Sequence, residues 1–306
     1  MRVLVTGGTG FVGRHTLAPL LAKGYEVHLA GNRIVQEPIE GVTYHQADLL
    51  DPCQMEQVVK EVRAAKLMHF AWYVEPKIYL TSYKNVQWIS ATMELLRLFA
   101  EHGGSRAVLA GTCFEYDLHQ GFLNEAQTPA EPDSLYGTCK NSLRQVAQSY
   151  AAQHNISLAW GRIFFLYGPH EYASRLVASV TNALLRGEDA KCSHGRQVRD
   201  FMHVQDVADA FVALMESPVT GTVNIASGAP TTLKDIVMTL AALTGGEALV
   251  KMGTYPSPEN EPPVILADTR RLNQEVGWKP SMDLQAGLAD TVAWWRAHLE
   301  VREPSA

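Results

Sequence analysis

Hydrophobic residues in the first half of the chain come in two patterns that alternate. Short unbroken apolar runs read as buried strands, and longer segments with apolar residues three and four apart read as helices. Val3 to Val5 is the first run. A glycine turn follows, Thr6-Gly7-Gly8-Thr9-Gly10-Phe11-Val12-Gly13, and Leu17, Leu20 and Leu21 then begin a helix that Lys23-Gly24 ends. Tyr25 to Ala30 predicts a second strand, ending at Gly31-Asn32-Arg33. Val42 to Gln46 predicts a third, leading to Asp48-Leu49. Asp51 to Arg63 reads as a helix with Pro52 in its first turn. Lys66 to Ala71 and Arg106 to Ala110 read as the fourth and fifth strands, with a helix at Asn85 to Phe99 between them. A helix at Ser134 to Gln153 and a strand at Ser157 to Gly161 continue the rhythm. Regular strand–helix alternation predicts an α/β fold with a doubly wound parallel sheet.

Beyond Pro169 the rhythm breaks. Helices are predicted at Ser174 to Arg186, Val204 to Met215, Thr232 to Leu243 and Leu284 to His298, with a strand at Val223 to Ala226. The stretch Lys191 to Arg199 is polar, and a proline-rich loop spans Pro256 to Pro263. We expect a dinucleotide-type domain over 1–168, with returning segments near 199–227, and a smaller lobe over 169–306.

Composition narrows this picture. The chain has 306 residues, 46% hydrophobic and 19% charged, with net charge −6. That balance fits a globular enzyme and argues against a nucleic-acid partner. No apolar run reaches the ~18 residues of a membrane span. The first strand starts at Val3, which leaves no room for a signal peptide, so a cytoplasmic location is expected. The 4 cysteines and 11 histidines show no ligand spacing, and no metal is expected.

Two stretches carry chemistry. Gly7, Gly10 and Gly13, between a strand and a helix, suit close approach of a pyrophosphate to a helix N-terminus. A glycine turn without any ligand is the plain alternative. Tyr136 and Lys140, four apart, share one helix face. A nearby ammonium favours the phenolate and lowers a tyrosine pKa from its usual ~10. Thr112 follows the fifth strand, where active sites of such sheets sit, and its hydroxyl suits a substrate oxygen beside Tyr136.

Together with Asn85-Val86, Tyr167-Gly168-Pro169 and Arg199 to Asp206, these pieces make the chain resemble an extended short-chain dehydrogenase/reductase of the nucleotide-sugar type. The resemblance implies a Rossmann sheet with a C-terminal substrate lobe. It implies Thr112, Tyr136 and Lys140 as catalytic residues. For the cofactor it implies Gly7, Gly10, Phe11, Val12, Gly13, Asn32, Arg33, Asp48, Leu49, Phe70, Ala71, Trp72, Asn85 and Ile163, besides Tyr136 and Lys140. For the substrate it implies Trp72, Thr112, Phe164, Phe165, Arg175, Arg196 and Arg199, with Tyr73 as a further pocket aromatic. A homodimer through the helices at 85–99 and 134–153 is expected by the same analogy.

Departures from the family narrow the function. Gly31-Asn32-Arg33 stands where NAD-binding folds place a carboxylate, which favours NADP over the alternative, NAD. Thr112-Cys113-Phe114 replaces the Thr-Asp-Glu of 4,6-dehydratases, which disfavours dehydration. Phe165 and Pro258 stand where the family often has Asn and Arg. The expectation is an NADP-dependent reductase of a nucleotide-activated 4-keto-(deoxy)sugar. The alternatives are an epimerase with retained NAD(P), a reductase of a non-nucleotide carbonyl compound, and a dinucleotide sensor without chemistry.

Overall fold

The computed structural model describes residues 1–35, 38–257 and 260–300. Among these, seven strands form a parallel central sheet. The chain supplies β1 (Arg2–Thr6), β2 (Glu26–Gly31), β3 (Val42–Gln46), β4 (Lys66–His69) and β5 (Arg106–Thr112) in its first 112 residues. After β6 (Phe122–Leu123), which joins another sheet, come β7 (Ser157–Ile163) and, much later, β11 (Gly221–Ile225). The spatial order is β3-β2-β1-β4-β5-β7-β11. Chain direction across the sheet therefore reverses between β1 and β4, the crevice where such sheets bind ligands.

The central strands are apolar on both faces because helices cover both. Leu4, Leu67, Leu109 and Trp160 face α2 (Pro52–Val62), α3 (Lys84–Glu101) and α4 (Leu135–Gln153). Val3, Val5, Met68 and Val108 face α1 (Gly13–Ala22) and α6 (Val204–Glu216). Helix α5 (Leu176–Leu185), α7 (Leu233–Thr244) and α8 (Leu284–Glu300) share a third apolar cluster around Val177, Ile236 and Leu288.

Short strands fill the rest of the C-terminal half. β12 (Pro230–Thr232), β10 (Val198–His203), β14 (Val264–Ala267) and β6 line up in a second sheet, with β8 (Phe165–Tyr167) beside β10. β9 (Ala190–Lys191) pairs β13 (Val250–Lys251). The polar stretch read as irregular thus contains the start of β10. In the first half, β4 ends at His69, two residues before the hydrophobic run does, and the Phe70 N–H makes the last bond to β1, at Thr6 O, at 2.9 Å. β5 and β7 run two residues longer than expected and carry Thr112 and Ile163 to the carboxyl edge. Among the described residues no helix is long and apolar enough to cross a membrane.

Candidate active site

The glycine turn lies at the reversal point. Gly7 has φ +70°, and a Cβ there would stand 2.5 Å from Ala71 N. At Gly13 a Cβ would stand 2.4 Å from Gly7 O. Only glycine lets β1, the turn and α1 come this close. Val12 caps α1 without any side-chain hydrogen bond, which leaves the positive helix end to Phe11, Val12 and Gly13. Asn32 and Arg33 stand exposed beyond β2. This donor set fits a dinucleotide: a turn with room for phosphate, an uncapped helix end and an exposed guanidinium.

Other residues predicted for the cofactor have structural partners of their own. Asp48 turns back on Leu50 N at 3.0 Å, and Leu49 is buried in the core. Phe70 meets the Phe211 ring at 4.9 Å between centroids. Ala71 abuts Gly7, and Ile163 packs on the cluster under α1 and α6. Asn85 is fully buried: it donates to Tyr79 O at 2.6 Å and Ser82 O at 2.9 Å, and accepts from Trp72 Nε1 at 2.8 Å. It ties down the loop that carries Trp72 over the site.

Tyr136 lies in the first turn of α4, which Ser134 caps through Gly137 N at 3.2 Å. Its ring stands edge-on to Tyr79 at 5.0 Å and to Phe114 at 6.3 Å. The Thr112 side chain acts on the Tyr136 phenol. The Thr112 oxygen accepts from Phe114 N at 3.3 Å, so its own proton is left to donate. Burial pushes the Tyr136 phenol above its ordinary range, while Thr112 acts against that. The expected lowering by Lys140 is therefore not what this arrangement gives. Lys140 Nζ donates to Ala110 O at 2.9 Å and sits 3.8 Å from the centre of the Trp72 ring. Burial brings its ammonium down to about 7. In both groups burial works against the charged form, through loss of water around a charge.

Sequence reasoning passed over Glu115, which is fully buried beneath Thr112. It accepts from Thr112 N at 2.8 Å, from Trp160 Nε1 at 2.9 Å and from Arg162 Nε at 2.8 Å. Arg144 Nε lies 3.8 Å away. Breaking such a buried pair from one side costs about 3–5 kcal/mol. The available signal was Thr112-x-x-Glu115, a capping-box spacing, which the structure realises. The two residues between add no acid or base: Cys113 is buried with its thiol pushed up to about 12, and Phe114 packs on Tyr136.

The residues predicted for substrate divide. Phe165 stands 6.5 Å from the ring of Phe114, which packs on Tyr136. Arg175 Cζ lies 5.3 Å over the Tyr79 ring that touches Tyr136. Phe164 instead is core, packed among Cys113, Tyr116 and Ala226. Tyr73 is half-buried under Lys84 Nζ at 4.6 Å. Arg196 is exposed in the loop before β10. Arg199 is buried 5.6 Å from the Phe165 ring, with its guanidinium on Glu261 at 2.8 Å. Glu261 thus holds the guanidinium that the resemblance assigned to the substrate. Pro258 lies outside the described residues.

The model of the NAD dependent epimerase/dehydratase family matches residues 3–226. UDP-glucuronic acid decarboxylase 1 of Xenopus tropicalis is 28% identical over 320 residues, covering 98% of this chain and 73% of its own length. The structure of UDP-glucose 4-epimerase with UDP-glucose from Thermotoga maritima superposes with a TM-score of 0.88 at 25% identity, covering 98% of this chain and 100% of that one. UDP-glucose 4-epimerase of Thermus thermophilus, in complex with NAD, has a TM-score of 0.84 at 25% identity, with 97% and 99% covered.

Proposed function

The chain belongs to the NAD dependent epimerase/dehydratase family, and on that premise we propose that it is an NADP-dependent reductase of a nucleotide-activated 4-keto-deoxysugar. The observation that carries the reading is the place of the Tyr136 phenol, buried in the first turn of α4 against Tyr79 and Phe114, with Thr112 at the end of β5 acting on it. A reductase needs a proton donor at this position. When bound, the cofactor supplies the hydride. Tyr136 Oη gives its proton to the carbonyl oxygen, which leaves a hydroxyl on the reduced carbon. Thr112 orients that oxygen, and Lys140 holds the nicotinamide ribose. The exposed Arg33 beyond β2 supports NADP over NAD. Neither Cys113 nor Phe114 offers the second acid or base that loss of water requires. The 1–168 and 169–306 division belongs to this reading, with β11 returning to the central sheet. So does a homodimer through α3 and α4, supported by exposed Tyr83, just before α3, and exposed Val146 on α4.

An epimerase with retained cofactor is the second reading. The likeness to the UDP-glucose 4-epimerase structures favours it, and it uses the same three side chains. NADPH deuterated at the transferred position, supplied with a nucleotide 4-keto-6-deoxysugar, separates the two. The reductase gives one deuterium at the reduced carbon and one NADPH oxidised per product. Interconversion of two 4-hydroxy epimers by the enzyme as purified, with no NADPH consumed, would establish the epimerase instead.

A further inference from the structure

Two demands meet at the end of β5. The Thr112 hydroxyl has to stand at one height beside Tyr136, and Lys140 has to keep a charge in a place without water. Thr112 is held from below at its backbone, through the 2.8 Å bond to Glu115 Oε1. The Lys140 ammonium contacts a carbonyl and an indole face, and neither carries a net charge. Glu115 lies on the far side of Trp160: its carboxylate takes the Trp160 N–H, and Lys140 Nζ is 5.9 Å from the same ring.

We propose that Glu115 is the positioning residue of this site, fixing Thr112 through its backbone and supplying a negative charge that supports the ammonium form of Lys140. The inference rests on the reading of Thr112 and Lys140 as working residues. The surroundings leave this task to Glu115. Around Lys140, His69 of β4 is buried, hydrogen-bonded to Thr6 at 2.6 Å, and brought down to about 3, so it stays neutral. Trp72 and Ala110 are uncharged. Tyr136, one turn earlier on α4, is held neutral by burial. Cys113, in the turn beside Glu115, is also held neutral. Around Glu115 stand Arg162 of β7 at 2.8 Å and Arg144 of α4 at 3.8 Å, and the Glu115 charge acts on Lys140 to raise its proton affinity. A Cβ at Gly111 would stand 2.5 Å from Glu115 Oε1 and 2.0 Å from Trp160 Nε1, so the β5 backbone leaves room for this arrangement.

The test uses the whole protein carrying lysines ¹³C-labelled at Cε, titrated by NMR. One resonance, absent from Lys140→Met, is expected to titrate near 7. In Glu115→Gln its midpoint falls by about one unit or more, as expected for loss of a nearby opposite charge. Glu115→Asp keeps the charge but withdraws it from Thr112. Its midpoint stays within about 0.5 units of the wild type, while kcat for NADPH-dependent reduction of a nucleotide 4-keto-6-deoxysugar falls about tenfold with KM little changed. An unchanged midpoint in folded Glu115→Gln overturns the proposal. Should that variant fail to fold, a Glu115→Asp midpoint that drops, or a kcat that does not, overturns it equally. Absence of turnover in the wild type sinks the reductase reading alone, because the titration needs no substrate.

Discussion

At the scale of single residues, spacing put Tyr136 and Lys140 one helical turn apart and Thr112 after the fifth strand, and the structure has both relations. Spacing did not reveal what burial does to them. Removing the Tyr136 hydroxyl in Tyr136→Phe should leave cofactor affinity intact and lower turnover by roughly 10²–10⁴, the usual contribution of a general acid. Stopped-flow reduction of a 4-keto sugar checks this, and near-normal rates would remove Tyr136 from the mechanism. Arg33→Ala should weaken NADP binding by about 1.5–3 kcal/mol and leave NAD nearly untouched, since only NADP offers a phosphate to a guanidinium. Calorimetric titration of both dinucleotides distinguishes this from an equal loss. Glu115 and Glu261 were hidden because their partners, Arg162 and Arg199, are distant in sequence, 47 and 62 residues away. The capping-box spacing marks Glu115 as a cap of its own turn, but its arginine is met only once the strands have been placed.

At the scale of elements, the strands of the central sheet were legible because burial on both faces demands unbroken apolar runs. The small strands of the second sheet were not. β6, β8 and β12 are two or three residues long and take their identity from pairing. The glycine turn was legible as a tight strand-to-helix turn, but its packing against Phe70 and Ala71 follows only from the fold. Gly7 and Gly24 separate the turn from the packing, because both have positive φ but a Cβ at Gly24 meets nothing within 4 Å. Gly24→Ala should cost about 1–2 kcal/mol, the strain of a left-handed alanine alone. Gly7→Ala must also push β4's exit away and should cost clearly more, with weaker dinucleotide binding. Thermal unfolding of both variants side by side provides the measurement; equal losses would mean that close approach at Gly7 is unimportant.

At the scale of the whole molecule, a buried acid ties stability to pH. Glu171 is buried beside α5 with its carboxyl raised to about 8, chiefly by loss of water, and among the described residues its Oε2 has no hydrogen-bond partner. A raised acid binds its proton more tightly folded than unfolded, so its contribution is full below the unfolded value of about 4.5 and is lost as pH rises to about 8. Glu171→Gln keeps the shape and removes the charge. It should melt close to the wild type at pH 5 and above it at pH 8; a constant difference at both would show that Glu171 does not titrate in this range. The position of β11 bears on how the molecule comes into being. During synthesis the outer edge of β7 has no neighbour until residue 225 has left the ribosome, though β1 to β5 can already pair. Such an open edge invites another chain to add itself. A nascent chain stalled at residue 220 should therefore clump or recruit chaperones, and a stall some forty residues later, with β11 clear of the exit tunnel, should not.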